Sequence, residues 1–569
     1  MTGIARLAAR TSLGTALIVG CALPVLVRGH QDPHASRTDA AVQPTGAIHG
    51  RVITAATGRP PGGAVVTLES SDRKIGRTEM VDDTGRFELN GLPSGTYELR
   101  ASAPGFVAGE VDDDRSRANI TGLRVSAGQV RDGIILHLTA GAIISGRVVD
   151  ASGEPVDGVP VYAMRVEFAA GKERLVPVAG RPRLTDDRGA YRVFGLGAGD
   201  YFLLAAPGAF SPGDRSRAEL PGYPLTFLPH SPDAAHAQQL RVKAGEETSV
   251  EDLVITQVRS YDLFGTVIDE RSRPAPNADV IVLPGTDAAI GAVASVRAGR
   301  DGVFRLRKIP AGSYLLQVRP TSTSGFASAL VDVPDSLSHV VLQQRSGASA
   351  RGAFAFDEGA TPAFRPGDLS VVLSPTDFTR SPLGTGARGH VLRGWTFEVT
   401  GVWGPHLLDV RTPSGWMVAS VTLGGEDVTD TPIDFDHVPE GEILRVHLTN
   451  RVTQISGTVV DASGRPAPHS AVVVFSREAE QWTLGPRYVR RADTSASGMF
   501  QIEGLAPGEY FAAAVERLSK GHWFRPSIFN ELRPTASELS LTKGQSRVIQ
   551  LRVLAGSIDR LPAAAPDKR

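Results

Sequence analysis

The chain of 569 residues has one cysteine, Cys21, so no intramolecular disulfide can form, and its units must be large enough to hold themselves together by burial. Charge of one sign is also missing. Lys+Arg 60 against Asp+Glu 61 leaves a formal net charge of −1, which gives no electrostatic reason to expect nucleic acid or an acidic lipid surface as partner. There is no Gly-x-Ser-x-Gly elbow, no Gly-Lys-Ser/Thr phosphate loop, no His-Glu-x-x-His and no paired-cysteine metal site, so the usual signatures of hydrolases, nucleotide enzymes and zinc sites are absent. No cofactor is implied. No stretch beyond the N-terminus is apolar for long enough to span a bilayer as a helix. Helical periodicity of useful length is lacking too. What the chain has instead is Gly (62) and Pro (39) spread evenly, as many turns between many short strands require.

The N-terminus reads as a targeting segment. Arg6 and Arg10 precede an apolar run from Leu13 to Val27, closed by Arg28. Cys21 stands in Ile18-Val19-Gly20-Cys21, which resembles a bacterial lipobox, but an apolar stretch, Ala22 to Val27, follows where a polar tether is usual. Lipidation at Cys21, ordinary cleavage and an uncleaved anchor all stay open. Each makes the protein extracytoplasmic (secreted, periplasmic or envelope-anchored), with the membrane touched only through this segment.

The rest of the chain is organised by a repeated phrase. Asp82-Asp83-Thr84-Gly85-Arg86-Phe87 leads to Gly91-Leu92-Pro93-Ser94-Gly95-Thr96-Tyr97. The phrase returns at Asp186 to Tyr201, at Asp301 to Tyr314 and at Ser497 to Tyr510, with a worn copy from Phe397 to Leu407. The marked aromatic that opens each hairpin (Phe87, Tyr191, Phe304, Phe397, Phe500) stands ten positions before the residue that closes it (Tyr97, Tyr201, Tyr314, Leu407, Tyr510). Such self-similarity means an array of like domains. Upstream of each copy is an alternating segment with a central glycine: Gly50, Gly146, Gly265, Gly352 and Gly457. Period-two apolar placement with β-branched residues reads as a half-buried strand. The Asp-x-Gly element reads as a tight turn with glycine at positive φ, and a closing strand follows a later polar turn. About seven short strands per ~100 residues predict an all-β chain, a tandem array of five antiparallel β-sandwiches. The expected division is 1–30 signal or anchor, 31–45 linker, 46–140, 141–259, 260–347, 348–451 (divergent) and 452–555 as sandwiches, and 556–569 as a disordered tail.

The phrases Ser145-Gly146-Arg147-Val148-Val149-Asp150 and Thr185-Asp186-Asp187-Arg188-Gly189-Ala190-Tyr191 resemble the carboxypeptidase regulatory-like domain, a transthyretin-like (prealbumin-like) sandwich. That fold is shared with carbohydrate-binding-like modules and Cna-B stalk domains. The resemblance spans residues ~46 to ~555 and speaks for fold far more than for function. It implies a non-catalytic binding or scaffold protein with carbohydrate, a polysaccharide or envelope glycan, as the partner class. The alternatives are a structural stalk or protein-interaction module among envelope proteins, or an accessory to a peptidase or glycan-degrading system.

A peptidase named by the family would need a His-x-x-Glu pair and a distant His. His437-Val438-Pro439-Glu440 is the one match, and it falls in a turn-like segment with no second ligand evident. Asp82-Asp83 and Asp186-Asp187 read as turn formers, and Asp112-Asp113-Asp114 as a solvated loop, since none has calcium-loop spacing. The lysines Lys74, Lys172, Lys243, Lys308 and Lys543 fall at different phases of their units, against a shared cross-link. All five tryptophans lie in the last two units. Trp395, Trp403 and Trp416 sit at strand or turn positions of the repeat. Trp482 and Trp523 sit in variable loops, where a flat ring could stack on a sugar or could plug the end of a sandwich.

Overall fold

The computed structural model describes residues 45–554 except 71–74, 108–117, 170–171, 179–181, 208–221, 286–287, 322–323, 334–338, 383–385, 440, 484–486, 517 and 519–525. Within them the regular structure is almost wholly strand, and the strands sort by their ladders into five successive sets, each holding one copy of the phrase.

The first set shows the plan. The opening strand Gly46–Thr54 lies between Arg86–Leu92 and Val130–Leu138, while Val65–Ser70 and Gly95–Ser102 form the centre of a second, four-stranded sheet. Ile48, Val52, Leu68, Phe87 and Leu99 fill the space between the two sheets. The second and third sets repeat this as separate facing sheets. In the fourth, strand Ala387–Leu392 pairs with both Ser370–Pro375 and Thr396–Val402, so the two faces join in one nine-stranded sheet. In the fifth, Ser546–Leu554 pairs with both Gln454–Val460 and Gly508–Val515, joining seven strands.

One pairing departs from the antiparallel expectation. In every set the opening strand runs parallel to the closing one, as in Gly50 beside Ile134 and Gly457 beside Ile549. The reason is connectivity. The chain crosses to the other sheet between these strands, so they need not meet through a hairpin.

The repeated residues now have mechanical meanings. The opening glycine pairs directly with the marked aromatic in all five sets: Gly50 with Phe87, Gly146 with Tyr191, Gly265 with Phe304, Gly352 with Phe397 and Gly457 with Phe500. A Cβ at Gly265 or Gly352 would stand 2.3 and 2.1 Å from the partner ring, so glycine is what lets the ring lie across the strand. The glycine two residues before the aromatic takes the left-handed conformation (Gly85 at φ 84, Gly498 at φ 74) and its carbonyl accepts the N–H of Val52 or Val459. Asp82 holds the same turn by accepting from the N–H groups of Thr84 and Arg86 at 2.9 and 2.7 Å; Asp186 does so from Arg188 and Ala190. These are the expected turn formers.

The closing tyrosine forms a corner. Tyr97, Tyr201, Tyr314 and Tyr510 each donate from the hydroxyl to the carbonyl four residues upstream, at 2.6, 3.0, 3.0 and 2.6 Å. In the fourth set the tyrosine is Leu407, which has no hydroxyl. There the corresponding carbonyl, that of Trp403, accepts from the buried Ser381 Oγ at 2.7 Å instead. The same set puts Trp395 (φ 56) where the others have glycine, and its carbonyl still accepts the Phe354 N–H at 2.8 Å. The worn copy thus keeps the bonds and changes the residues that make them.

Tyr191 is the exception among the marked aromatics, because the other four are phenylalanine. Its hydroxyl is buried without a hydrogen-bond partner, and burial pushes its pKa up. An orphaned buried hydroxyl costs about 1–3 kcal/mol. Tyr191→Phe is therefore expected to leave stability unchanged or raise it by about 1 kcal/mol, whereas Tyr510→Phe, which strips the Ala506 carbonyl of its donor, lowers it by a similar amount. Urea unfolding of the two full-length variants checks the opposite signs.

Candidate functional site: tryptophans and junctions

The structure corrects the reading of Trp482. Its ring is 2% exposed and packs against Phe475 and Phe529 at 5.9 and 5.2 Å, and its Nε1–H donates to the Ser476 carbonyl at 2.7 Å. The cause is the helix Pro526–Leu532, which the sequence reading lacked. Ile528, Phe529 and Leu532 bury themselves on the outer face of the sheet and enclose the tryptophan. Neither ring face nor N–H is left for a sugar. Trp523 and Cys21 lie outside the described residues, as do Asp112–Asp114.

The other tryptophans take structural places. Trp403 donates from Nε1 to the Arg345 carbonyl at 2.9 Å and packs on Phe326, which joins the third set to the fourth. Trp395 and Trp416 form a half-exposed group with Phe356 and Phe364, edge to face, with centroids 4.9–5.6 Å apart. His437 is exposed, with Nδ1 3.0 Å from Asp434 Oδ2, and Glu440 is outside the described residues. Among the described residues no three His, Cys, Asp or Glu side chains gather as metal ligands. Lys543 Nζ lies 3.5 Å from Asp357 Oδ1 as a half-exposed ion pair.

Polar side chains gather instead at the junctions between sets, which sequence reasoning left unexamined. Only residues 139–141, 256–259, 344–347 and 450–453 separate one set's last strand from the next set's first. At the first junction Gly141 N–H donates to the Gly105 carbonyl and Val107 N–H to that of Thr139. At the second, the long hairpin Pro160–Ala169 and Lys172–Pro177 reaches over the third set, where Ala289 N–H donates to the Leu175 carbonyl. Met164 and Leu175 share a core with Ala288 and Val293 there.

The third junction is polar and buried. Gln317, 1% exposed, donates from Nε2 to the carbonyls of Phe378 and Ser381, at 3.1 and 3.0 Å. Ser328 Oγ donates to the Thr379 carbonyl, and the Arg174 guanidinium of the second set lies 3.7 Å over the Phe378 ring. Below this loop Asp436 accepts from Arg380 at 2.7 Å and from the Gly404 N–H at 3.0 Å, and pairs with Arg345 at 3.1 Å. Burial alone would raise the Asp436 pKa, but the Arg380, Gly404 and Arg345 donors prevail and hold it below the ordinary value. At the fourth junction Arg487 donates to the Val418 carbonyl and sits 3.0 Å from Asp430, which also accepts from Tyr488 at 2.6 Å. Burial, then the Asp430 carboxylate, pushes the Tyr488 phenol up to about 12.

Comparison with known proteins fits this architecture to a domain type. No curated protein matches the chain. Among solved structures, a streptococcal ancillary pilin is 14% identical, covering 52% of this chain and 98% of its own, with a TM-score of 0.20. The minor pilin of Streptococcus agalactiae is 14% identical over 38% of this chain and 98% of its own, with a TM-score of 0.21. Two B repeat units of the collagen-binding protein of Staphylococcus aureus are 11% identical over 71% and 100%, with a TM-score of 0.14. The carboxypeptidase regulatory-like domain model matches residues 47–138 and 262–344, the segments that hold the first and third copies of the phrase. Residues 47–138 and 262–344 thus match the carboxypeptidase regulatory-like domain.

Proposed function

We propose that this protein is a non-catalytic scaffold of the cell envelope: five sandwiches, divided at 46–140, 141–259, 260–347, 348–451 and 452–555, that hold a fixed succession and act as a spacer or protein-interaction module. The observation that carries this reading is Gln317. A buried amide that spends both its Nε2 donors on the loop of the next set costs free energy unless that loop stays docked. Linkers as short as 139–141 and 344–347 point the same way, because they leave little chain to flex. The apolar segment Leu13 to Val27 supports placement outside the cytoplasm. The carbohydrate reading has lost Trp482 to the core.

The test is whether the third junction behaves as one piece. Because the Asp436 pKa is depressed in the folded chain, its stabilising contribution is present above the ordinary value of 3.8 and is lost as pH falls through the lower folded value. Amide exchange at Phe326 and Arg345, whose N–H groups bond each other's carbonyls where the linker leaves the third set and where Trp403 of the fourth donates to the Arg345 carbonyl, is expected to be slow at neutral pH and to quicken selectively below that range, after correction for intrinsic rate. Asp436→Asn is expected to show the quickened exchange already at pH 7. Exchange at these two amides as fast as in an unstructured peptide, in the unmodified protein at pH 7, would refute the scaffold reading.

A further inference from the structure

A cleft of about 500 Å³ opens at the end of the third set and is lined by the turn after its opening strand and by the linker to the fourth. Three carboxylates and three guanidinia line it, so by count it is neutral. The pairing is not. Asp269 accepts from the N–H groups of Arg271 and Arg273 and pairs with the Arg273 guanidinium at 2.7 Å. Asp279 pairs with Arg297, which lies outside the cleft, at 3.1 Å. Glu270 is held by the backbone N–H of Ser346 in the linker. All three acids are therefore committed to donors of the protein itself. Among the described residues the guanidinia of Arg271 and Arg319, both exposed, make no hydrogen bond or salt bridge, and both line the cleft.

With Asp269 and Asp279 each paired to a guanidinium, Arg271 and Arg319 stand against the single charge of Glu270, which feels Arg271, so this concave site presents a net positive face. A guanidinium matches a carboxylate or phosphate through two parallel N–H donors, which a monatomic anion cannot use as fully. The corresponding turns elsewhere do not repeat the arrangement. In the second set the turn is Asp150-Ala151-Ser152-Gly153-Glu154, and in the fifth Asp461-Ala462-Ser463-Gly464-Arg465, where Arg465 folds back on Asp461. Only the third set places one arginine on the aspartate and leaves a second pointing away.

We propose that this cleft is an oxyanion site, which takes a carboxylate or phosphate group of a small ligand between Arg271 and Arg319. It is independent of the scaffold reading. Because Ser346 and Gln344 belong to both the cleft and the linker, a bound ligand also rests on the junction between the third and fourth sets.

Calorimetric titration of the full chain with citrate and with inorganic phosphate, at ionic strength held constant with sodium chloride, tests this. Saturable binding of at least one is expected, and the tighter of the two identifies the group as carboxylate or phosphate. Arg271→Met and Arg319→Met are each expected to weaken it about tenfold or more. Arg188→Met, on an exposed turn of the second set, should not. Unfolding midpoints of the variants should match the unmodified protein, because both side chains are exposed and unpaired. Absence of saturable heat with either anion, or equal weakening by Arg188→Met, would overturn the site.

Discussion

Replacing Gly457 with valine is expected to unfold the fifth set while leaving the first three folded. The opening strand Gln454–Val460 is central to its sheet, paired with Met499–Glu503 on one side and with Ser546–Leu554 on the other. A Cβ at Gly457 would stand 1.8 Å from the Ile549 carbonyl oxygen, a backbone atom that cannot swing aside without breaking the ladder. Overpacking against movable side chains costs about 1–3 kcal/mol, and here a β-branched residue meets fixed backbone, so a loss of more than about 3 kcal/mol is expected. Gly394→Ala provides the comparison. A Cβ there meets nothing within 4 Å, its φ is not left-handed, and the change should stay within about 0.5 kcal/mol. Calorimetry of the two full-length variants distinguishes them: the valine variant should lose one unfolding transition and the alanine variant none. A Gly457→Val protein with every transition intact would mean the strand shifts register at little cost.

Trp482→Ala is expected to cost about 3–5 kcal/mol of the fifth set's stability and to leave binding to any glycan as it was. The ring fills the space among Phe475, Phe529 and the short helix, and its N–H is the donor for the Ser476 carbonyl. Truncation opens a cavity and strips a buried acceptor at once. Helix Pro526–Leu532 is too short to stand alone and should fray with it. Chemical denaturation followed by the fluorescence of the remaining tryptophans reads the first effect. A variant that keeps its midpoint but loses affinity for a glycan would restore the sugar-stacking role.

Most of the fold was legible because the repeated phrase is made of residues whose backbone or packing demands are severe. Glycine at positive φ, glycine under an aromatic ring and tyrosine at a corner are needed for local reasons, so they recur at fixed spacing and can be read from one chain. Trp482 shows where this stops. An aromatic in a variable loop has no local requirement that distinguishes ligand from core, and the decisive partner, Phe529, is almost fifty residues away. The junctions were illegible for the same reason. Gln317 stands between Leu315-Leu316 and Val318 in a buried stretch of strand Gly312–Val318, and that polar intrusion was the available signal, but its acceptors are backbone carbonyls with no sequence mark. The parallel pairing of opening and closing strands could not be seen either, because alternation reports which face is buried and not which way a neighbour runs.

The exchange of Tyr for Ser at the fourth corner alters when that corner can form. A tyrosine bonding four residues back completes its own turn as soon as the turn folds. Ser381 reaches the Trp403 carbonyl from a loop twenty-two residues upstream, and that same loop takes its seat on Gln317 and Ser328 of the preceding set. The fourth sandwich therefore closes its corner fully only against an already folded neighbour. On a ribosome the third set emerges first, so the order of synthesis supplies the surface that the fourth set needs, and a chain starting at residue 348 would lack that template.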